Sequence, residues 1–510
     1  MLSLPALLTR LLNGPEVEGF PNLAAEQRSH VWRFLVRCAA RALRSLKLPV
    51  DDATHPFRDT DIRNALLQSA PETAWRLYQP EPGKPGFLQP PTPSGANPWD
   101  DSYDRDSMSV LTSLIGSKSH ERKADVAREA TPEQAVYALI DYQGGAIYGG
   151  RGHYGSQLLG SVSGAGSGTP FMGARLGASN VLTFRHDVKV VLDRWDDTAK
   201  KLRGKVWAIW AEPWDGQQSL SASLLDPAFI PLARLVRLGE PSNGLFDTVW
   251  FRASKVARVT ELMGGNLGDP YTPLVPVRDS REYAKKVRGT LRKGYDYTEV
   301  VALLFGEGSE ASPSVEALSA VTGHFPQMLT VLFEGMAYEQ GKTGGFHRRE
   351  IVLPARYGRR RSEDIDQLRA AHGEMLQCVK EAKSALRGAF RIYLTGSPKP
   401  RESDASPVEA GLELLDADID AVYLLRLFDA AKRRSENDNT WDTQWRTELS
   451  TLARESFERA RRGLPSSVAR FYQRSVDARS YLEWKLSELR GEEPGMRGSS
   501  DNSTSEGPQL

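Results

Sequence analysis

The sequence predicts an α+β chain: a mixed N-terminal globular domain with long Gly/Pro-rich loops over 1–360, a C-terminal four-helix bundle over 361–490, and a disordered tail over 491–510. Three observations carry this. Strand-like and helix-like stretches mix irregularly up to about residue 360. Glycine- and proline-rich stretches interrupt them, with twelve glycines from Gly144 to Gly177. Beyond residue 361 the only apolar period is helical.

From the start, MLSLPALLTRLLNG reads as a first helix, because it lacks a basic leader and a small-x-small cleavage site. Ala24 to Leu48 places Val31, Trp32, Leu35, Val36, Ala39 and Leu43 at helical spacing, with the basic residues expected on a solvated opposite face. Residues 51–105 are rich in Pro and Asp and should be mainly loop, packed onto the body through Trp75, Tyr78, Phe87 and Trp99. A helix over 132–142 starts suitably on Pro132 and runs into the glycine stretch. Strand character marks 181–184, 205–212, 248–254 and 349–357; helical pieces are expected at 280–292, 297–304 and 313–319. Four helices follow, over 362–392, 409–435, 440–463 and 466–489. The buried stripes expected are Leu415, Ile419, Val422, Leu425 and Phe428 in the second, and Val468, Phe471, Tyr472, Val476, Tyr481 and Trp484 in the fourth.

Composition excludes several classes. The chain has 510 residues, Lys+Arg 66 against Asp+Glu 65, and two cysteines. At about 150 residues per domain, two to four domains are expected. Cys38 and Cys378 cannot form a disulfide framework or a Cys-rich zinc site, which fits a reducing compartment such as the cytoplasm. No apolar run approaches the roughly 18 residues of a membrane helix, so no membrane partner is expected. The net charge of +1 confines any nucleic-acid surface to a local patch.

Catalytic motifs fail on spacing. Gly150-Arg-Gly152-His-Tyr-Gly155 matches GxGxxG, but a helix precedes it and more glycine follows, the reverse of a dinucleotide fold. Gly341-Lys342-Thr343 resembles the end of a phosphate loop, yet Met336 stands where the motif needs glycine. The eight histidines form no HExxH pair, and no GxSxG elbow occurs. Asp416, Asp418 and Asp420 read as acids near a helix start, favoured by its dipole, and not as a metal site. No catalytic residue, metal or cofactor is therefore assigned. The densest basic segment is Lys342 to Arg361, with seven Lys/Arg, one Glu and a formal charge of +6; it includes Arg348 and Arg349. Such a segment neutralises phosphates. The glycines over 144–168 would let backbone approach a narrow groove.

Taken in order, these stretches resemble the large subunit of the type I-E CRISPR surveillance complex (Cascade), the CasA family. The matching pieces are SLPALLTRLL with PNLAAEQRSHVWRFLVRCAARAL, PGFLQ (85–89), PEQAVYALIDYQGGAIYGG (132–150), SGTP (167–170), GNLGDPYTPLVP, FEGMAYEQGKTGGFHRREIVLP and the C-terminal helices. The Trp-Ile-Pro-Val-like stretch usual near the family's start, and the cysteine-rich knuckle of some members, do not occur.

The resemblance implies a non-catalytic DNA-recognition subunit. It would read the protospacer-adjacent motif in double-stranded DNA, open the duplex, and help recruit a helicase-nuclease. Its partners would be other Cascade subunits and CRISPR RNA. Carried over by position, the glycine loop reads through Gly150, with Gly149 beside it. A basic finger falls on Arg258 or Lys255. A wedge falls on Gln340, flanked by Glu339 and Gly341, with Lys342 next to meet phosphate. Two other readings stay open: a helical-bundle scaffold of another nucleoprotein defence complex, and a nucleotide-binding enzyme built on Gly341-Lys342-Thr343.

Overall fold

A computed structural model describes residues 2–14, 17, 19–50, 56–92, 104–112, 128–145, 156–157, 160–161, 170–200, 202–252, 254–260, 269–276, 285–306, 318, 328–339, 342–358, 362–399, 405–463 and 471–492. They form mixed helices and small sheets, an α+β chain, in two compact units that divide near residue 360. No helix among the described residues is long and apolar enough to cross a membrane.

The first unit is built around one helix. α1 (Leu4–Asn13) is capped by Ser3, whose hydroxyl accepts the Ala6 N–H. α2 (Arg28–Leu46) is buried on nearly every side: Val31, Trp32, Phe34, Leu35, Val36, Cys38, Ala39 and Leu43 all lie in the core. Its basic face is only partly solvated as expected: Arg44 is exposed, but Arg33 and Arg37 are only 6% and 3% exposed. Each has found acceptors inside, which is what allows a guanidinium to be buried.

α3 (Asp59–Ser69) lies in the stretch expected to be mainly loop. Asp59 and Asp61 favour its N-terminus, and Ile62, Ala65 and Leu66 bury against α1 and α2. The aromatic packing of this stretch does occur: Trp75 lies 5.9 Å from Trp207 and 5.7 Å from Trp210, and Phe87 lies 5.6 Å from Phe34. Trp99 falls outside the described residues. α4 (Pro132–Gly145) opens with a reciprocal cap, in which Thr131 N–H donates to Gln134 Oε1 and Gln134 N–H to Thr131 Oγ1.

Several local expectations fail in whole or in part; the strand expected over 349–357, for one, ends at Pro354 and gives way to a helical turn, Ala355–Gly358. The 181–184 stretch is not a strand but the first turn of α5 (Asn180–Asp193). Ser179 caps it by accepting the Leu182 N–H, and Phe184, Asp187 and Val188 repeat at helical spacing into the core. The helix expected over 280–292 is absent from its described part. Lys285–Val287 instead pairs antiparallel with Leu274–Pro276, so tertiary pairing overrides local propensity. Over 205–212 only Val206–Ala208 is strand, followed by a single tight turn, Ile209–Ala211. α6 (Tyr297–Phe305) forms as expected on an Asp296 cap. Of 313–319 only Leu318 is described.

The two longest strands lie in one antiparallel sheet. β1 (Phe171–Arg175) pairs with β2 (Met328–Glu339), which pairs with β3 (Lys342–Pro354). β2 is the central strand, and its residues 331–337 are all buried. β3 alternates near its end, with Ile351 and Leu353 buried and Val352 exposed. A second sheet joins Asp104–Asp106, Val249–Arg252 and Leu235–Leu238.

The second unit contains α7 (Ser362–Thr395), α8 (Ala405–Ser435), α9 (Thr440–Gly463) and α10 (Phe471–Arg490). α7 contacts the other three. The buried stripe of α8 is Leu412, Leu415, Ile419, Tyr423 and Leu427; Leu425, expected inside, is 70% exposed. In α10 the stripe is rotated. Ala478, Leu482, Leu486 and Leu489 are buried, while Val476 and Trp484 are exposed and Tyr472 is 84% exposed. Small residues let α7 sit close to two of its neighbours: the Tyr481 ring of α10 rests on Gly388 of α7, and Phe390 of α7 rests on Gly411 of α8, where a Cβ would overlap each ring. Asp416 and Asp418 are not near the helix start, because α8 begins at Ala405. They pair across helices instead, Asp416 with Lys383 and Asp418 with Ser456 and Arg459.

Candidate nucleic-acid interface

The hairpin β2–β3 carries the wedge candidates. Its register runs from Met328 opposite Pro354 to Glu339 opposite Lys342, shifting once between Ala337 and Tyr338. Gly345, at φ +111°, supplies the left-handed backbone beside that shift. Gln340 and Gly341 lie outside the described residues, but they are the two residues between the paired ends Glu339 and Lys342. Lys342 and Thr343 open a strand. A phosphate loop needs a helix N-terminus at that point, so the nucleotide-site reading loses its geometry.

The basic segment is partly neutralised where it stands. Arg348 is exposed, with Nη2 2.6 Å from Glu350 and Nε 3.5 Å from Glu334. Arg349 is half-buried and donates to the Tyr295 carbonyl at 2.8 Å. Arg356 lies over the Tyr357 ring, and Arg359, Arg360 and Arg361 fall outside the described residues. The hairpin is tied to α2 by a group the sequence did not reveal. Glu334 has no exposed surface, and Arg28 Nε donates to it at 2.8 Å.

Gly149 and Gly150 fall outside the described residues; the start of their stretch does not. α4 ends against α2. A Cβ at Gly144 would lie 3.0 Å from His30 Nδ1, and one at Gly145 would lie 2.6 Å from His30 Nε2. Burial, with Arg33 adding to it, lowers the His30 pKa to about 3, so the imidazole under these glycines is neutral. Gln143 fixes the same helix end. Its Nε2 donates to Leu88 and Arg234 carbonyls, and its Oε1 accepts from Ala233 and Arg234 N–H groups. Gln89, in the PGFLQ turn, likewise donates to Leu77 and Phe87 carbonyls and accepts from Leu238 N–H.

The two finger candidates differ sharply. Lys255 is exposed, and its backbone N–H is held by the Gly216 carbonyl at 2.7 Å. Arg258 is 3% exposed, with its guanidinium 5.5 Å from the Trp214 ring centroid and donating to the Glu212 carbonyl at 3.3 Å. Burial lowers its pKa to about 10, against the opposing pull of Glu212 and Asp215. The structure thus leaves Lys255 in solvent and uses Arg258 inside the unit.

No family model and no curated protein matches the sequence. Solved structures do match in fold. The CRISPR-associated protein Cse1 from Acidimicrobium ferrooxidans superposes with a TM-score of 0.63 at 16% identity, covering 96% of this chain and 94% of that one. Thermus thermophilus CasA (Cse1) gives 0.62 at 16% identity, covering 96% and 95%. Thermobifida fusca Cse1 gives 0.63 at 14% identity, covering 95% and 94%. Over almost its whole length, the chain has the fold of the Cse1/CasA proteins.

Proposed function

We propose that the chain is a CasA-family subunit, the non-catalytic large subunit of a type I-E RNA-guided surveillance complex, and that it reads the protospacer-adjacent motif in double-stranded DNA and opens the duplex beside it. The observation that carries this is the near full-length likeness to Cse1/CasA folds, together with a long hairpin whose two connecting residues are Gln340 and Gly341. A wedge inserted into a base step costs a few kcal/mol, which binding must offset. A short connection on paired strands suits that load.

In this reading Gly149 and Gly150 approach the groove, where the absence of side chains allows close backbone contact. Lys255 is the finger, Gln340 the wedge with Glu339 and Gly341 as its shoulders, and Lys342, Arg348 and Arg349 meet phosphates. The minor groove presents a degenerate code, so several related motifs would be accepted. Base pairing with the CRISPR RNA supplies the rest of the specificity. The second unit serves as an antiparallel four-helix bundle that contacts other Cascade subunits, and the assembled complex recruits the helicase-nuclease in the cytoplasm.

The test is DNA binding by the assembled guide-RNA complex, with and without this chain, on targets with one matching sequence and a randomised flanking trinucleotide. Selective retention of a few flanks that depends on the chain supports the reading. Retention independent of the flank, or unchanged without the chain, refutes it.

A further inference from the structure

We propose that Arg33 is a positioning residue that holds the exits of two segments, the glycine-rich stretch ending at Pro170 and the stretch ending at Asp269, in one fixed arrangement. The proposal deepens the DNA-reading function above and rests on it.

One guanidinium touches both exits. Arg33 Nη2 donates to the Pro170 carbonyl at 2.7 Å, and its Nε lies 3.3 and 3.2 Å from the two Asp269 oxygens. Asp269 also accepts from the Thr272 hydroxyl at 2.5 Å and lies 3.8 Å from Arg37. Pro170 and Asp269 are far apart in sequence, yet the residues after them are laced together. Met172 N–H donates to the Tyr271 carbonyl at 2.9 Å, and the Phe171 and Tyr271 rings stack at 4.5 Å and 21°. Arg33 lies over both rings, 5.1 Å from one centroid and 5.7 Å from the other.

The residue type matters. A guanidinium presents several donors in one rigid plane, so it can satisfy acceptors from two segments at once, whereas a lysine offers a flexible point charge. Burying such a pair costs desolvation free energy that an apolar contact would not. Stability alone therefore does not require an arginine here, but fixing two exits in register does.

The placement on α2 extends the point. His30, three residues earlier, backs Gly144 and Gly145 at the entry to the glycine stretch. The chain leaves α2 beside His30 and returns to it beside Arg33, about 4.5 Å further along the helix axis. Arg28 of the same helix holds the hairpin through Glu334. Gly144 and Gly145, Pro170 and Asp269, and the β2–β3 hairpin thus all rest on residues within the six-residue run from Arg28 to Arg33 of one buried helix.

The experiment uses the full chain with Arg33→Lys, Arg33→Gln and Asp269→Asn, and Thr272→Val as a milder change should those fail to fold. Hydrogen exchange is read at 170–175, at 269–274 and, as an internal reference, at 362–395. The proposal expects exchange to rise together at both exits, with the reference unchanged. Flank selectivity of the assembled complex should fall about tenfold, with affinity for unselected DNA within about twofold of wild type. Arg33→Lys should recover part of what Arg33→Gln loses. A rise at one exit only, or unchanged selectivity in a folded variant with both exits loosened, overturns it. So does a loss of selectivity that merely tracks loss of all DNA binding. If the wild-type complex shows no flank preference, the DNA-reading function has failed, and the paired exchange readout alone decides whether Arg33 couples the two exits.

Discussion

The Arg258 guanidinium rests on the face of Trp214, 5.5 Å from the ring centroid, while Lys255, three residues earlier, stands in solvent. Arg258→Ala should therefore cost stability, on the order of 2 kcal/mol from the lost ring contact and the unpaired Glu212 carbonyl. Lys255→Ala should change stability by less than about 0.5 kcal/mol and reduce flank discrimination by about 1–3 kcal/mol. Thermal unfolding together with flank-selective binding separates the two. The opposite pattern would return the finger to Arg258.

Gln340→Ala should impair duplex opening more than initial binding, because a wedge acts after the groove is engaged. A fluorescent base analogue next to the motif reports opening, and a mobility shift reports binding. Equal loss in both, or none in either, would remove Gln340 from the wedge role.

Gly145→Ala should destabilise the first unit by about 1–3 kcal/mol, since the new methyl would meet the buried His30 ring. His30→Ala in the same chain should relieve part of that cost. A double-mutant cycle by denaturant unfolding measures the coupling; strict additivity would show that the ring is not what the methyl meets.

Acid should weaken the second unit through His372. Burial lowers its pKa to about 4, and its Nδ1 lies 2.9 Å from the Tyr423 hydroxyl. The unfolded chain takes up this proton near pH 6.5 and the folded one only near pH 4, so stability falls as pH drops between those values. His372→Gln has no such proton to gain. Its stability deficit against wild type should shrink from pH 7 to pH 4.5, and a constant deficit would exclude the effect. His30 and Asp187, common to both proteins, cancel in that difference.

How far the fold could be read from the sequence depends on what each signal measured. The helical period of α2 was legible in Val31, Leu35 and Leu43. The burial of Arg33 and Arg37 was not, because spacing assigns cations to solvent and the partner that admits them, Asp269, is remote in sequence. In α10 the aromatics Tyr472 and Trp484 suggested a stripe that the structure turns outward. The face that packs is the one with Ala478, small enough to let the helix close on its neighbours. The 181–184 stretch looked like a strand because four residues are too short a window to show the longer period of α5. For the proposed interface, motif order put a wedge on Gln340 between Glu339 and Gly341, but not the long β2–β3 pairing on either side of it, because strand character was legible only over 349–357. It could not separate Lys255 from Arg258, a difference set by Trp214 folding over one of them. Nor could it find Glu334, a lone acid in an apolar run whose partners Arg28 and Arg348 come from two other elements.

The glycine seats in the second unit have a mechanical consequence. A glycine inside a helix costs about 1 kcal/mol relative to alanine, and Gly388 and Gly411 each receive a ring from a neighbouring segment in return. A ring seated in such a notch acts as a detent. For α10 to slide one turn along α7, about 5.4 Å, Tyr481 would have to leave its seat and ride over a side chain. Slippage of α10 along α7 would therefore go in steps of a helical turn and not continuously, because packed interfaces have discrete arrangements.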